Sequence, residues 1–230
     1  MIFNMKLATS SQIKEIDKLS TNKYGIPSLI RMEVAGLKSF DIIKKEYNPK
    51  KSLIVVGTGN NGGDGLVIAR YLLLNNYECS IYIVKTSKIR SKDFITNLSI
   101  IKKLGVKITN DWKNVKIKEY DLIIDGIFGV GLNRPLNSKI NILIKTLNKT
   151  KIPICSIDIP SGLNPNSGKM LSTSIIADST ITFDFAKTGL LTDPGAKFSK
   201  KIFIVKLPTP ETLSKKLDNF YVNDNFFNNF

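Results

Sequence analysis

Histidine is missing from these 230 residues, and cysteine occurs only twice, at Cys79 and Cys155. Without an imidazole there is no Ser-His-Asp triad, no Cys-His pair, no His-ligated zinc and no histidine base. Two cysteines are too few for a Cys₄ metal site or a disulfide framework. Any proton transfer therefore falls to Asp, Glu, Lys, Tyr or bound water. No apolar run reaches the roughly 18 residues of a membrane-spanning helix. The opening MIFNMKLATSSQ lacks an apolar stretch leading to a small-residue cleavage site, which argues against a secretory signal. Met5 offers an alternative start. Arginine, the usual reader of phosphates and base edges, occurs four times.

Lysine makes up for the scarcity of arginine: 34 basic against 19 acidic residues give a formal charge of +15. The lysines are spread along the whole chain in blocks no longer than two, the pattern of a solvated surface. No nucleic-acid partner is expected from it, and attraction for an anionic cofactor is compatible with it. The hydrophobic share of 42% supports a real core. Length fits one domain over residues 1–230. Both cysteines fall in apolar, strand-like stretches, consistent with buried reduced thiols and a cytoplasmic protein.

Residues 10–47 read as two helices broken at Gly25-Ile26-Pro27, with Ser10 or Ser11 and then Ser28 as N-caps. In the second, Leu29, Met32, Gly36, Phe40, Ile43 and Tyr47 share one stripe. From 52 to 207 short apolar runs alternate with helical stretches. The runs are 53–56, 79–84, 106–109, 122–125, 154–158, 179–183 and 202–205; the helices are 64–75, 89–104 and 137–147. Repeated β-α units imply an α/β fold with a mostly parallel sheet covered on both faces. The tail 219–230 mixes Asn with Phe without period, and is expected to fray or to dock onto a partner.

Ligands in open α/β sheets sit beyond the carboxyl ends of the strands, and three strands end unusually. The first runs into Gly57-Thr-Gly-Asn60-Asn61-Gly62-Gly63-Asp64-Gly65, where five glycines in nine residues allow close backbone approach to a ligand. The helix that follows offers free amides to an anion. No Lys-Ser/Thr follows, so this is not a Walker loop. Asp64 would repel phosphate unless it meets a hydroxyl, an amide or a cation. The second strand ends at Asp125, a costly place for a carboxylate unless it is paired or bound to a cation. A loop through Gly129, Val130, Gly131, Leu132, Asn133, Arg134 and Pro135 follows, with an arginine able to hold phosphate. The third ends in Asp158-Ile-Pro-Ser161-Gly162; without histidine, Ser161 serves better as an oxygen ligand than as a nucleophile. Asn61, Asp125 and Ser161 together supply one carboxylate and neutral oxygens, a set suited to a monovalent cation. Asp158 remains the best general acid/base.

Four separated motifs, Met32-Glu33-Val34-Ala35-Gly36, Gly57 to Gly65, Asp125 to Pro135 and Asp158 to Gly162, resemble the NAD(P)H-hydrate epimerases, the YjeF N-terminal domain family. The resemblance runs from Thr9 to about Pro210 and includes Lys187-Thr-Gly189-Leu. It implies a Rossmann-like three-layer α/β/α sandwich that interconverts the R and S forms of hydrated NADH and NADPH at C6. It implies that Asn60 to Asp64, with Gly62 and Gly63 between them, and Gly129 to Pro135 bind the damaged dinucleotide, and that Asp158 contacts it. It further implies one potassium ion per subunit at Asn61, Asp125 and Ser161, and a homodimer. At this length a fused dehydratase has no room, so a separately encoded NAD(P)H-hydrate dehydratase is expected as functional partner.

The chemistry suits these groups. Protonating the C6 hydroxyl lets the ring nitrogen expel water, and water returning to the other face inverts the centre, with Asp158 moving the proton; ring opening is the other route. The motifs also depart from the family: Arg31 stands for Leu, Val34 for Asn, Thr58 for Pro and Val130 for Thr. Loss of polar groups at 34 and 130 is expected to bear on turnover more than on fold. The contrasting reading is a non-catalytic nucleotide- or RNA-binding scaffold module of the same fold.

Overall fold

A computed structural model describes residues 2–215, 217 and 219–223. In chain order its elements are β1 (Ile2–Ala8), α1 (Ser10–Asn22), α2 (Ser28–Glu46), β2 (Lys51–Val56), α3 (Asn60–Leu74), β3 (Glu78–Ile83), α4 (Lys92–Lys103), β4 (Lys107–Thr109), β5 (Leu122–Gly126) and α5 (Ser138–Asn148). There follow β6 (Ile154–Ile157), β7 (Ser179–Phe183), β8 (Ala186–Lys187), α6 (Thr188–Leu191), α7 (Gly195–Ser199), β9 (Lys201–Val205), α8 (Glu211–Ser214) and β10 (Asn219–Asn223).

Seven strands form one sheet in the order β4-β3-β2-β5-β6-β7-β9, every pair parallel. The chain winds outward from β2 through β3 to β4, then returns to β5 and winds the other way. The reversal between β2 and β5 opens a crevice at their carboxyl ends, where Val56 lies opposite Gly126.

Alternate residues of the strands supply two cores, as the period of two requires. Ile54 and Val56 join Phe40 and Ile43 of α2, Leu66 and Leu72 of α3 and Phe94 and Ile101 of α4. Leu53 and Val55 join Ile140, Ile144 and Leu147 of α5 on the opposite face. The result is the expected three-layer α/β/α arrangement.

Helix α2 approaches α3 closely because Gly36 offers only hydrogen where a Cβ would collide with Val67. Met32 meets Gly63 in the same way one turn earlier on both helices. Glu33 ties the pair by pairing with Arg70 and accepting from the Tyr71 hydroxyl at 2.5 Å. The Met-Glu-Val-Ala-Gly motif is thus a helix-packing device.

Several local expectations are corrected. The cap of α1 is Thr9, whose hydroxyl accepts from the Gln12 amide while Gln12 accepts from the Thr9 amide. Pro27, not Ser28, precedes α2. Helix α3 begins at Asn60 rather than Asp64, and α4 at Lys92 rather than Ile89. Residues 2–8, to which the sequence reading assigned no element, form β1. It pairs antiparallel with β10 and parallel with β8 in a second, three-stranded sheet. Asn219–Asn223 is therefore strand and not frayed tail; residues 224–230 lie outside the described residues.

Candidate active site

The glycine loop folds tightly at the reversal point. The Gly57 amide donates to the Gly126 carbonyl at 3.1 Å, and the Ile127 carbonyl occupies the space a Cβ on Gly57 would need. Gly62 is pressed onto the Gly57 carbonyl, so α3 starts directly above β2. Thr58, where the family has proline, uses its amide and hydroxyl to bond the Thr86 hydroxyl, each at 3.0 Å. That pins the loop to the segment after β3. Gly59, the N-cap of α3, brings no side chain to the first amides of the helix.

Asp125 is a fully buried hub. It accepts from the Ser161 hydroxyl at 2.6 Å, the Ser156 hydroxyl at 2.8 Å, the Ser161 amide at 2.9 Å and the Ile127 amide at 3.3 Å. Burial pushes its carboxyl above the ordinary carboxylate range, and the hydrogen bonds from Ser161, Ser156 and Ile127 oppose the shift. Among the described residues no Lys or Arg pairs with it. Ser161 also accepts from the Phe128 amide at 2.9 Å. Asn61, on the first turn of α3, has both carboxamide atoms buried and without a hydrogen-bond partner. A donor set of one buried carboxylate, one hydroxyl and one unpartnered amide oxygen fits a cation of low charge. Among the described residues no three carboxylate or thiol groups gather around one point.

Asp158 follows β6 in the left-handed region, with φ of 68°, a conformation aspartate tolerates better than most residues. Its amide donates to the Ile181 carbonyl at 2.7 Å, which turns the carboxylate off the sheet. One carboxylate oxygen pairs with Lys187 at 2.5 Å; the other accepts from the Val130 amide at 3.1 Å. Lys187 is only 1% exposed and also donates to the Thr182 hydroxyl at 2.8 Å and the Phe183 carbonyl at 3.1 Å. A side chain at Gly129 would strike the Asp158 carboxylate and lie 3.3 Å from the Asn61 carboxamide oxygen. The bare Gly129 therefore lets the two groups share one space.

The same turn recurs after β7. Asp184 has φ of 58°, its amide donates to the Val205 carbonyl at 2.8 Å, and its carboxylate faces Arg31 at 3.4 Å. Arg31 is buried and reaches Asp17 of α1 at 2.6 Å. The arginine that replaces the family's leucine thus meets two acids beside the site through Nη2, while its Nη1 is buried without a hydrogen-bond partner.

These groups line one cleft of about 540 Å³. Of the residues the sequence singled out, the cleft takes Asn60, Asn61, Asp64, Gly129, Val130, Gly131, Leu132, Asn133, Arg134 and Asp158. Gly62, Gly63 and Pro135 do not line it; the two glycines serve the turn and the α2 contact, and Pro135 is exposed. Asp125 and Ser161 are fully buried and do not line it. Val34 does not line the cleft. Val130 uses its amide on Asp158 and packs its side chain against the Ala8, Ile13, Ile16 and Phe185 cluster. Sequence reasoning missed Lys187 as the partner of Asp158, together with Arg31, Asp17 and Asp184. Nothing in the sequence marked Lys187 as buried, since Asp184 and Thr188 stand in the same stretch.

Comparison with known proteins follows this geometry. Residues 28–189 match the family described as YjeF-related protein N-terminus. The chain is 34% identical over 197 residues to the NAD(P)H-hydrate epimerase of Weissella koreensis, covering 85% of this chain and 88% of that one. It is 36% identical to the NAD(P)H-hydrate epimerase of Limosilactobacillus fermentum, covering 85% and 94%. A bifunctional NAD(P)H-hydrate repair enzyme of Moorella thermoacetica is 31% identical over 91% of this chain and 42% of its own length. The crystal structure of yeast ynu0 superposes with a TM-score of 0.72 at 26% identity, covering 80% of this chain and 83% of that one.

Proposed function

The chain belongs to the YjeF-related N-terminus family, and from that premise we propose that it interconverts the R and S forms of hydrated NADH and NADPH at C6. The carrying observation is Asp158: a carboxylate at the mouth of the sheet crevice, fixed between Lys187 and the Val130 amide. The free amides that open α3, with Arg134 and Lys14 at the cleft, suit the pyrophosphate of a dinucleotide. Placed there, the hydrated ring presents its C6 hydroxyl to Asp158. Transfer of a proton to that oxygen lets the N1 lone pair expel water and leave a planar iminium. Water added to the opposite face completes inversion.

A potassium ion is the proposed companion of this site, held by Asn61, Asp125 and Ser161. Its support is the unpartnered, buried Asn61 carboxamide and the buried Asp125 charge without a cationic side chain beside it. Bound, the ion supplies positive charge that orders the loops after β2, β5 and β6. The product pool is consumed by a stereospecific dehydratase in the same compartment, which we take to be the cytoplasm. Two buried free thiols agree with that placement. Assembly as a homodimer is part of the same proposal and is read by sedimentation.

The test follows one purified epimer of hydrated NADPH by chromatography, with spontaneous equilibration subtracted. Wild-type protein accelerates equilibration in potassium buffer, and Asp158→Asn loses it by about 10²-fold or more. Full activity in Asp158→Asn would remove its assigned role. A rate and a melting temperature indifferent to replacing potassium by choline would remove the ion. A folded protein that binds the dinucleotide without acceleration would be the scaffold module instead.

A further inference from the structure

Inversion at a carbon through a planar intermediate poses a demand that one carboxyl does not meet. The hydroxyl leaves from one face of the ring and water attacks the other. Resting on the epimerase reading, we propose that Asp64 is the second acid/base group of the reaction, one carboxyl serving each face of the hydrated ring.

Asp64 lies one helical turn beyond Asn61 on α3 and lines the cleft. It is 9% exposed, and among the described residues no amide, hydroxyl or cation donates to its carboxyl. Every other buried carboxyl near the site has partners: Asp125 its serines, Asp158 its lysine, Asp184 its arginine and threonine. The Asp64 carboxyl opens on the cleft, where a bound ligand can supply the partner that the protein does not. Asp64 reaches the cleft from the helix after β2 and Asp158 from the end of β6. Strand β5 lies between those strands, so the two carboxyls arrive from either side of the β5 loop.

Their surroundings divide the labour. Burial, with repulsion from Asp158, Asp17 and Asp93 and only partial relief from Lys187, holds the Asp64 carboxyl well above the ordinary range. Arg31 also lines the cleft; its Nη2 serves Asp17 and Asp184, while its Nη1 is buried without a hydrogen-bond partner. Asp158 meanwhile keeps its lysine. In one direction the Asp64 proton passes to the C6 oxygen, the C6–O bond breaks and the N1 lone pair forms C6=N1. A water adds to C6 from the other side, giving its proton to Asp158 as the iminium electrons return to N1. Asp64 ends ionised and Asp158 protonated, which is the form that processes the opposite epimer. The same arrangement explains an acidic residue inside an anion-binding loop: its partner is the hydroxyl and not the phosphate.

The experiment compares Asp64→Asn, Asp158→Asn and wild type on purified epimers, with dissociation constants from calorimetry and rates across pH. Asp64→Asn is expected to bind within about threefold of wild type and to lose at least about 10²-fold in kcat. Wild-type kcat falls as pH rises through the raised Asp64 value, and the residual Asp64→Asn rate lacks that limb. Folding is read separately. A group with a raised folded-state value stabilises below the ordinary carboxylate range and loses that as pH rises through the folded value. The variant should therefore melt no lower than wild type at pH 8. A second readout is oxygen exchange: in ¹⁸O water, each inversion should place one solvent oxygen on C6. Wild-type kcat in a folded Asp64→Asn, or an unchanged basic limb, overturns the proposal while leaving Asp158 and the epimerase reading intact. Retention of the original oxygen overturns it too, since ring opening expels no water. Inactive wild-type protein would instead sink the underlying function.

Discussion

Lys187 is what makes a charged Asp158 tenable in a nearly dry site. Its three bonds, to Asp158, Thr182 and Phe183, use all the hydrogens of the ammonium group. Removing one member of a buried pair leaves the other uncompensated, at a cost of about 3–5 kcal/mol. Lys187→Met should therefore lower urea stability by about that amount and abolish epimerisation. Lys187→Met with Asp158→Asn should recover much of the stability and none of the activity, a result that denaturation curves on the three variants would check. Asp158 was legible in the sequence because an acidic residue ending an apolar run is expensive. Lys187 was not, since one lysine among 30 carries no mark of burial.

At the level of elements, the same backbone turn follows β6 and β7. In each, an aspartate at positive φ donates its amide to the neighbouring strand and aims its carboxylate at a buried cation. The main sheet was readable because its runs are apolar on both faces, as parallel strands between helix layers must be. The small sheet was not: Ile2–Ala8 and Asn219–Asn223 alternate too weakly and pair only across the length of the chain. The glycine loop was read as ligand-binding throughout, whereas Gly62 and Gly63 serve packing. Helix packing carries its own expectation. At Gly36 even a methyl group displaces Val67, so Gly36→Ala should destabilise by about 1–3 kcal/mol. Its preferred helix propensity would not offset that. Chemical denaturation decides it, and a stability gain would mean that α2 and α3 separate without cost.

Across the whole molecule, the charge of +15 contrasts with a cleft whose inner wall holds Asp17, Asp64, Asp158 and Asp184. Dispersed lysines raise the local concentration of an anionic dinucleotide, while the acids inside meet the ring. Added choline chloride at fixed potassium should therefore lower kcat/KM several-fold between about 20 and 200 mM, as the screening length shrinks towards about 8 Å. kcat should stay unchanged. Stopped-flow binding and steady-state rates separate the two.

The small sheet also dictates an order of events. Strand β8, which carries Lys187, is held by β1, and β1 in turn by β10, so the acid/base pair closes only when segments about 180 residues apart in the chain have met. Such distant closure comes late in folding. Trp112 packs against Tyr82 beside the main sheet and reports that sheet alone. During refolding from urea its fluorescence should return first and epimerisation second, leaving a brief population that looks native to tryptophan and has no catalytic centre.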